Sequence, residues 1–174
     1  MGSPLLTQSA VVALVEYKRW ADELTFEAVA RLPEGEVRKE RATLFRSIIG
    51  TLNHSYVVDL IWRAHLEGRD HGFSSRRVMV HEDVGTLRKA QAECNDWLRE
   101  WCRAQSDASL NEPVGFRLIS GEEGRMSRGA MVMHIVNHAT YHRGYVDDLF
   151  YQIPAEPPTT DLCVYQGWRA TLSD

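Results

Sequence analysis

Three histidines stand four residues apart in the stretch HIVNHATYHRGYV, residues 134–146: His134, His138 and His142. On a helix, positions i and i+4 lie about 40° apart around the axis, so the three imidazoles share one side. Rings so placed either bring lone pairs to one divalent metal or pack in a core with their nitrogens hydrogen-bonded. The helical wheel puts Met131, Ile135, His138, His142, Tyr145 and Leu149 on one stripe, with His134 at its margin. The histidines therefore interrupt an apolar face, where an imidazole without partners costs free energy. A metal would satisfy one nitrogen of each ring and a nearby acceptor the other. HxxxH spacing alone leaves both readings open.

Other chemistries can be set aside. No HExxH occurs, because His81-Glu82 is followed by Asp83, Val84 and Gly85. No Glu has a His three residues on, so the carboxylate-bridged di-iron bundle is excluded. There is no Ser-His-Asp grouping and no Gly-rich phosphate loop. Cys94, Cys102 and Cys163 form no CxxC pair, and read as reduced thiols in a cytoplasm. Of the other histidines, His65, His71 and His81 fall at or beyond the end of a helix, where a solvated role is expected. His54 lies mid-helix in IIGTLNHSYVVDLIW, with Gly50 one turn earlier permitting close approach of a ligand or another backbone.

The elements that must position these residues are helical. Val11, Val12, Val15, Leu24, Ala28 and Leu32 recur at helical spacing from about Thr7 to Leu32, stopped by Pro33 and Gly35. A second helix is expected over about 43–67, with Gly68 as its C-cap. It is apolar nearly all round, which suggests burial on two sides, for example against its own bundle and a partner subunit. A third spans about Glu82 to Gln105. Next, EPVGFRLISGEEGRMSRG places two short apolar runs either side of SGEEG, a small hairpin or extended loop. Ser127 caps a fourth helix that ends before Pro154, and the Pro-rich tail closes with a short helix. Matched lengths of this kind predict an all-α fold: a four-helix bundle with a hairpin excursion between helices three and four, forming a single domain over 1–174.

Composition narrows the function. Of the 174 residues, 44% are hydrophobic and 25% charged, as in an ordinary globular domain. The formal charge of −4, with no Lys/Arg cluster among aromatics, argues against nucleic acid as a partner. The opening MGSPLLTQSAVVALVEYKRW has no basic stretch before its apolar run, so it does not read as a signal peptide. No apolar run approaches the ~18–20 residues of a membrane span. A cytoplasmic protein is expected.

EYKRWADE, TLNHSYVVDLIW and HIVNHATYHRGYVDDLF, in that order and followed by PAEPPTTDL, resemble the DinB/YfiT-like superfamily of small four-helix proteins. The resemblance implies a divalent metal held by one histidine of helix two and an HxxxH pair of helix four, often in a homodimer. By position the ligands would be His54, His138 and His142, with His134, Asn137 and Tyr141 as outer-sphere neighbours. Arg143 also matches, in the role of an ion-pair partner. Asp22 departs from the pattern, since members commonly carry Asn there. Three neutral imidazoles would leave a coordination position open, as in catalytic sites. There the metal lowers the pKa of bound water to about 7 or holds a thiol as thiolate. The implied activity is a thiol-dependent S-transferase or a hydrolase acting on a small electrophilic substrate with a low-molecular-weight thiol. Zinc or nickel is favoured, with iron next. The alternative is a non-catalytic, stress-linked binding or scaffold module with a structural metal.

Overall fold

The computed structural model describes residues 6–167. In chain order the elements are α1 (Gln8–Ala30), α2 (Ile48–Leu66), α3 (Val84–Arg103), α4 (Asp107–Asn111), β1 (Pro113–Arg117), β2 (Glu123–Ser127), α5 (Arg128–Phe150) and α6 (Leu162–Tyr165). Each long helix begins at a short polar residue. Thr7, Ser47, Asp83 and Ser127 accept hydrogen bonds from the backbone N–H of Ala10, Gly50, Thr86 and Ala130, satisfying donors that the first turn leaves free. The hairpin is antiparallel, with Val114 opposite Met126 and Phe116 opposite Gly124.

α2 starts five residues later than the periodicity predicts. Arg46 takes a left-handed backbone (φ 66°) and Ser47 is extended, so 43–47 forms a turn instead of a first helical turn. Gly50 is what lets this turn close: a Cβ there would overlap the carbonyl oxygen of Phe45. Phe45 is thereby folded back over α2.

α1 packs on α3 and α5, and α2 packs on α5 and α3, which places the four long helices in a ring. The core has two apolar halves. One gathers Val11, Val15, Val58, Trp62, Leu98, Met131 and Ile135; the other gathers Phe26, Val29, Ile49, Leu52, Leu87, Val146 and Leu149. Between them runs a buried polar layer centred on Lys18. Its ammonium donates to Asp22 Oδ2 (2.8 Å), Asp59 Oδ2 (2.7 Å) and Asn95 Oδ1 (2.6 Å), while Arg143 Nη1 donates to Asp22 Oδ1 (2.8 Å). Two cations and two carboxylates balance. Burial alone would raise the Asp22 pKa, but Lys18 and Arg143 together outweigh it and hold the group below the usual carboxylate range. This accounts for an acid at position 22: an amide could not neutralise both cations.

The two-sided burial of α2 is met within one chain. Asn53 on its outer side donates to the His81 carbonyl (2.8 Å) and accepts from the Val80 and His81 N–H groups (2.9 and 3.0 Å), fastening the connector 67–83 across the helix. The apolarity of α2 therefore supplies no argument for a partner subunit. His65 also departs from expectation. It is buried, because Phe116 of β1 and Trp62 pack on its ring (centroids 6.0 and 5.4 Å). Among the described residues, no helix is long and apolar enough to cross a membrane.

Candidate metal centre

α2 and α5 lie side by side, which brings His54 to the HxxxH pair. One ring nitrogen from each of His54, His138 and His142 lies within 4.8 Å of the other two. His54 Nε2 stands 3.1 Å from His142 Nε2, and the His138 and His142 ring centroids are 4.3 Å apart. Two ligands about 2.0–2.1 Å from one zinc are separated by roughly 3.0–3.4 Å, depending on geometry, so the spacing suits a shared ion. His54 Nδ1 lies 3.0 Å from the Arg76 carbonyl; as donor in that hydrogen bond it leaves the Nε2 lone pair facing the cluster. Phe45 stacks on the His54 ring at 4.0 Å and fixes its plane.

The electrostatics keep these rings neutral. Burial pushes the His138 pKa down to about 2, with help from His142, His54, His134 and Lys18, and that of His142 down to about 4. His54 is lowered by burial and by the Arg76 and Arg77 guanidiniums, against the opposing pull of the Arg76 carbonyl. Neutral imidazoles present lone pairs, the form a divalent ion requires. The residues thus fit the ion the sequence implies. Among the described residues, no fourth His, Cys, Asp or Glu joins the set.

The neighbours differ in placement. His134 lies one turn from His138, its ring stacked at 5.9 Å, and packs on Trp62 at 4.7 Å. Tyr141 is exposed, edge-on to His142 at 5.1 Å, with its hydroxyl 2.8 Å from that of Tyr145. Asn137 is exposed and hydrogen-bonds to none of the three histidines. Tyr145, placed by the wheel on the apolar stripe, is partly exposed. The buried thiols of Cys94 and Cys102 are pushed up to about 12, so neither offers a thiolate at neutral pH.

The cluster forms part of the floor of a cleft with two arms. One, of about 500 Å³, opens over the three histidines between Phe45, Ser74, Ser75, Arg76, Arg77 and Tyr141. The other, of about 410 Å³, is walled by Val58, Ile61, Trp62 and the hairpin-turn residues Leu118 and Ile119. Arg76, Ile119 and His138 line both. The loop residues carry no sequence signature beyond the Arg-Arg pair in SSRRVMV, and Phe45 lay inside an expected helix. A larger groove of about 820 Å³ beside His65 and His71 does not reach the cluster.

Comparison with known proteins agrees with this arrangement. The profile of the DinB family matches residues 1–172. The chain belongs to the DinB family. It is similar to Protein DinB of Bacillus subtilis (strain 168), with 28% identity over 159 residues, covering 87% of this chain and 91% of that one. A crystal structure of a DinB-like protein from Bacillus cereus ATCC 10987 superposes with a TM-score of 0.67 at 16% identity, covering 88% of this chain and 97% of that one. The bundle is thus the fold of a DinB-family protein, with a three-histidine candidate metal site set between α2 and α5.

Proposed function

We propose that this DinB-family protein is a metal-dependent enzyme that joins a low-molecular-weight thiol, or water, to a small electrophilic substrate. His54, His138 and His142 hold the divalent ion, zinc or nickel in preference to iron. The observation that carries this reading is the open side of the cluster: three neutral imidazoles face a cleft large enough for a small molecule, and among the described residues no fourth His, Cys, Asp or Glu closes the set. Structural zinc sites are closed by four protein ligands, whereas catalytic ones keep a free position. That contrast disfavours the scaffold alternative. A divalent ion in such a site lowers the pKa of a coordinated thiol or water and so supplies a nucleophile at neutral pH.

The chain's own residues supply the rest. The hydrogen bond from His54 to the Arg76 carbonyl and the Phe45 stack hold the ring orientation. Trp62, Ile61 and Ile119 give one arm of the cleft an apolar wall, where the apolar part of a substrate would lie. The test is an assay of the metal-loaded protein with bacillithiol, mycothiol, glutathione and water as nucleophiles toward a small chromogenic electrophile. Turnover lost in His142→Ala is expected. A metal-loaded protein inert to all four nucleophiles would count against an enzyme.

A further inference from the structure

The electrostatics of the cleft are one-sided. Among the described residues its two arms are lined by two arginines and no Asp or Glu, in a chain whose formal charge is −4. An imidazole ligates a metal in its neutral form, so a divalent ion would bring the formal charge of the cleft to about +4, with no described Asp or Glu in its lining to balance it.

The two arginines are also uncommitted. Apart from Arg125, each of the other described arginines reaches a carboxylate: Arg19, Arg31, Arg38, Arg41 and Arg46 do so in the first part of the chain. Arg63, Arg69, Arg88 and Arg99 follow the same pattern, as do Arg103, Arg117, Arg128 and Arg143. Arg76 and Arg77 form no ion pair among the described residues. Their backbone is nevertheless held in place. The Arg76 carbonyl lies 3.0 Å from His54 Nδ1, and the Arg77 N–H donates to Ser75 Oγ at 3.0 Å. Two fork-shaped donors are thus mounted on a loop fixed by His54 and form no ion pair among the described residues. Guanidinium pairs bidentately with carboxylate, and a planar anion of that kind is what the cleft lacks.

We infer that Arg76 and Arg77 select the ligand of this site: a small thiol bearing a carboxylate, its sulfur toward the three histidines and its carboxylate on the two guanidiniums. The inference rests on the metal-dependent reading above and names the substrate class for it. On binding, the thiol loses its proton to solvent and the carboxylate is already ionised, so the ligand enters as a dianion and offsets about half of the local charge.

The test uses cobalt(II) as the ion, because its visible spectrum reports metal uptake and its sulfur-to-cobalt charge-transfer band reports thiol binding. The full-length protein is loaded with cobalt and titrated with 3-mercaptopropionate and, separately, with 3-mercapto-1-propanol, which differ in a carboxylate against a hydroxymethyl group. The carboxylate thiol is expected to bind about tenfold more tightly at low salt, with the preference shrinking as salt screens exposed guanidiniums. In Arg76→Gln/Arg77→Gln the preference should fall to near unity, while about one cobalt ion per chain is still taken up. Equal affinity for the two thiols in the wild type, or a preference that survives in the double variant, overturns the inference while leaving the metal site intact. Failure to take up cobalt overturns the metal reading itself and the inference with it.

Discussion

Replacing Lys18 by Met should cost this bundle a large fraction of its stability, by an amount the polar layer defines. The lysine is about 1% exposed, and its ammonium is shared by Asp22, Asp59 and Asn95 at 2.6–2.8 Å. Methionine keeps much of the aliphatic stem and removes only the charge. Asp22 would retain Arg143 and the Asn95 amide (3.0 Å), but Asp59 would keep only the Gln91 amide (2.8 Å), with Oδ1 buried and unpartnered. Removing one side of a buried ion pair costs about 3–5 kcal/mol, against a total stability of about 5–15 kcal/mol. With a urea m-value of about 2 kcal/mol/M, the unfolding midpoint should drop by about 2 M. The pH dependence identifies the cause. Burial already raises the Asp59 pKa in the wild type, and Lys18 is the main opposing influence. Without Lys18 the folded-state pKa rises further above the unfolded value, so the folded state holds the proton more tightly. Stability is then best below the unfolded pKa and falls as pH rises through the folded one, making the deficit smaller at pH 5 than at pH 8. Asp59→Asn in the Lys18→Met background should recover part of the loss at pH 8. A deficit under about 1 kcal/mol, or one that does not change with pH, would refute this account of the layer.

Three further outcomes are expected. Gly50→Ala, ordinarily stabilising in a helix by about 0.5–1 kcal/mol, should here destabilise by about 1–3 kcal/mol because the new methyl overlaps the Phe45 carbonyl, as urea unfolding would show. Since Phe45 stacks on His54, the same variant should weaken metal affinity, measured by competition with a chelator. Burial, with Asp161 adding to it against the pull of Arg143, raises the Asp147 pKa to about 6. The charged form is therefore disfavoured in the folded state, and stability from this group falls as pH rises from 3.8 through 6. Asp147→Asn should raise Tm at pH 8 and change it little at pH 4.5. After discounting for its partial exposure to solvent the gain is about 1 kcal/mol.

The four long helices, the Ser127 cap and the hairpin were legible because each has a local signal: apolar periodicity, a capping residue, or short runs around Ser120 and Gly121. The HxxxH pair was legible for the same reason, since both histidines lie on one helix. His54 was placed by family resemblance; its own helix is buried on nearly every side, so the wheel carries no direction. The start of α2 was misjudged because the left-handed turn at Arg46 depends on a contact with Gly50, which no local propensity encodes. His65 was expected in solvent because nothing in the sequence states that Phe116, fifty-one residues later, folds back over it. The cleft walls arise from three separate connections, and their assembly is a property of the packed bundle.

The most direct test is the metal content of the purified protein after loading with zinc or nickel and desalting, compared with His54→Ala and His142→Ala. About one ion per chain in the wild type, lost in both variants while their circular dichroism stays helical, is the result expected of a three-histidine centre. No retained ion in the wild type, or full retention in either variant, would contradict it.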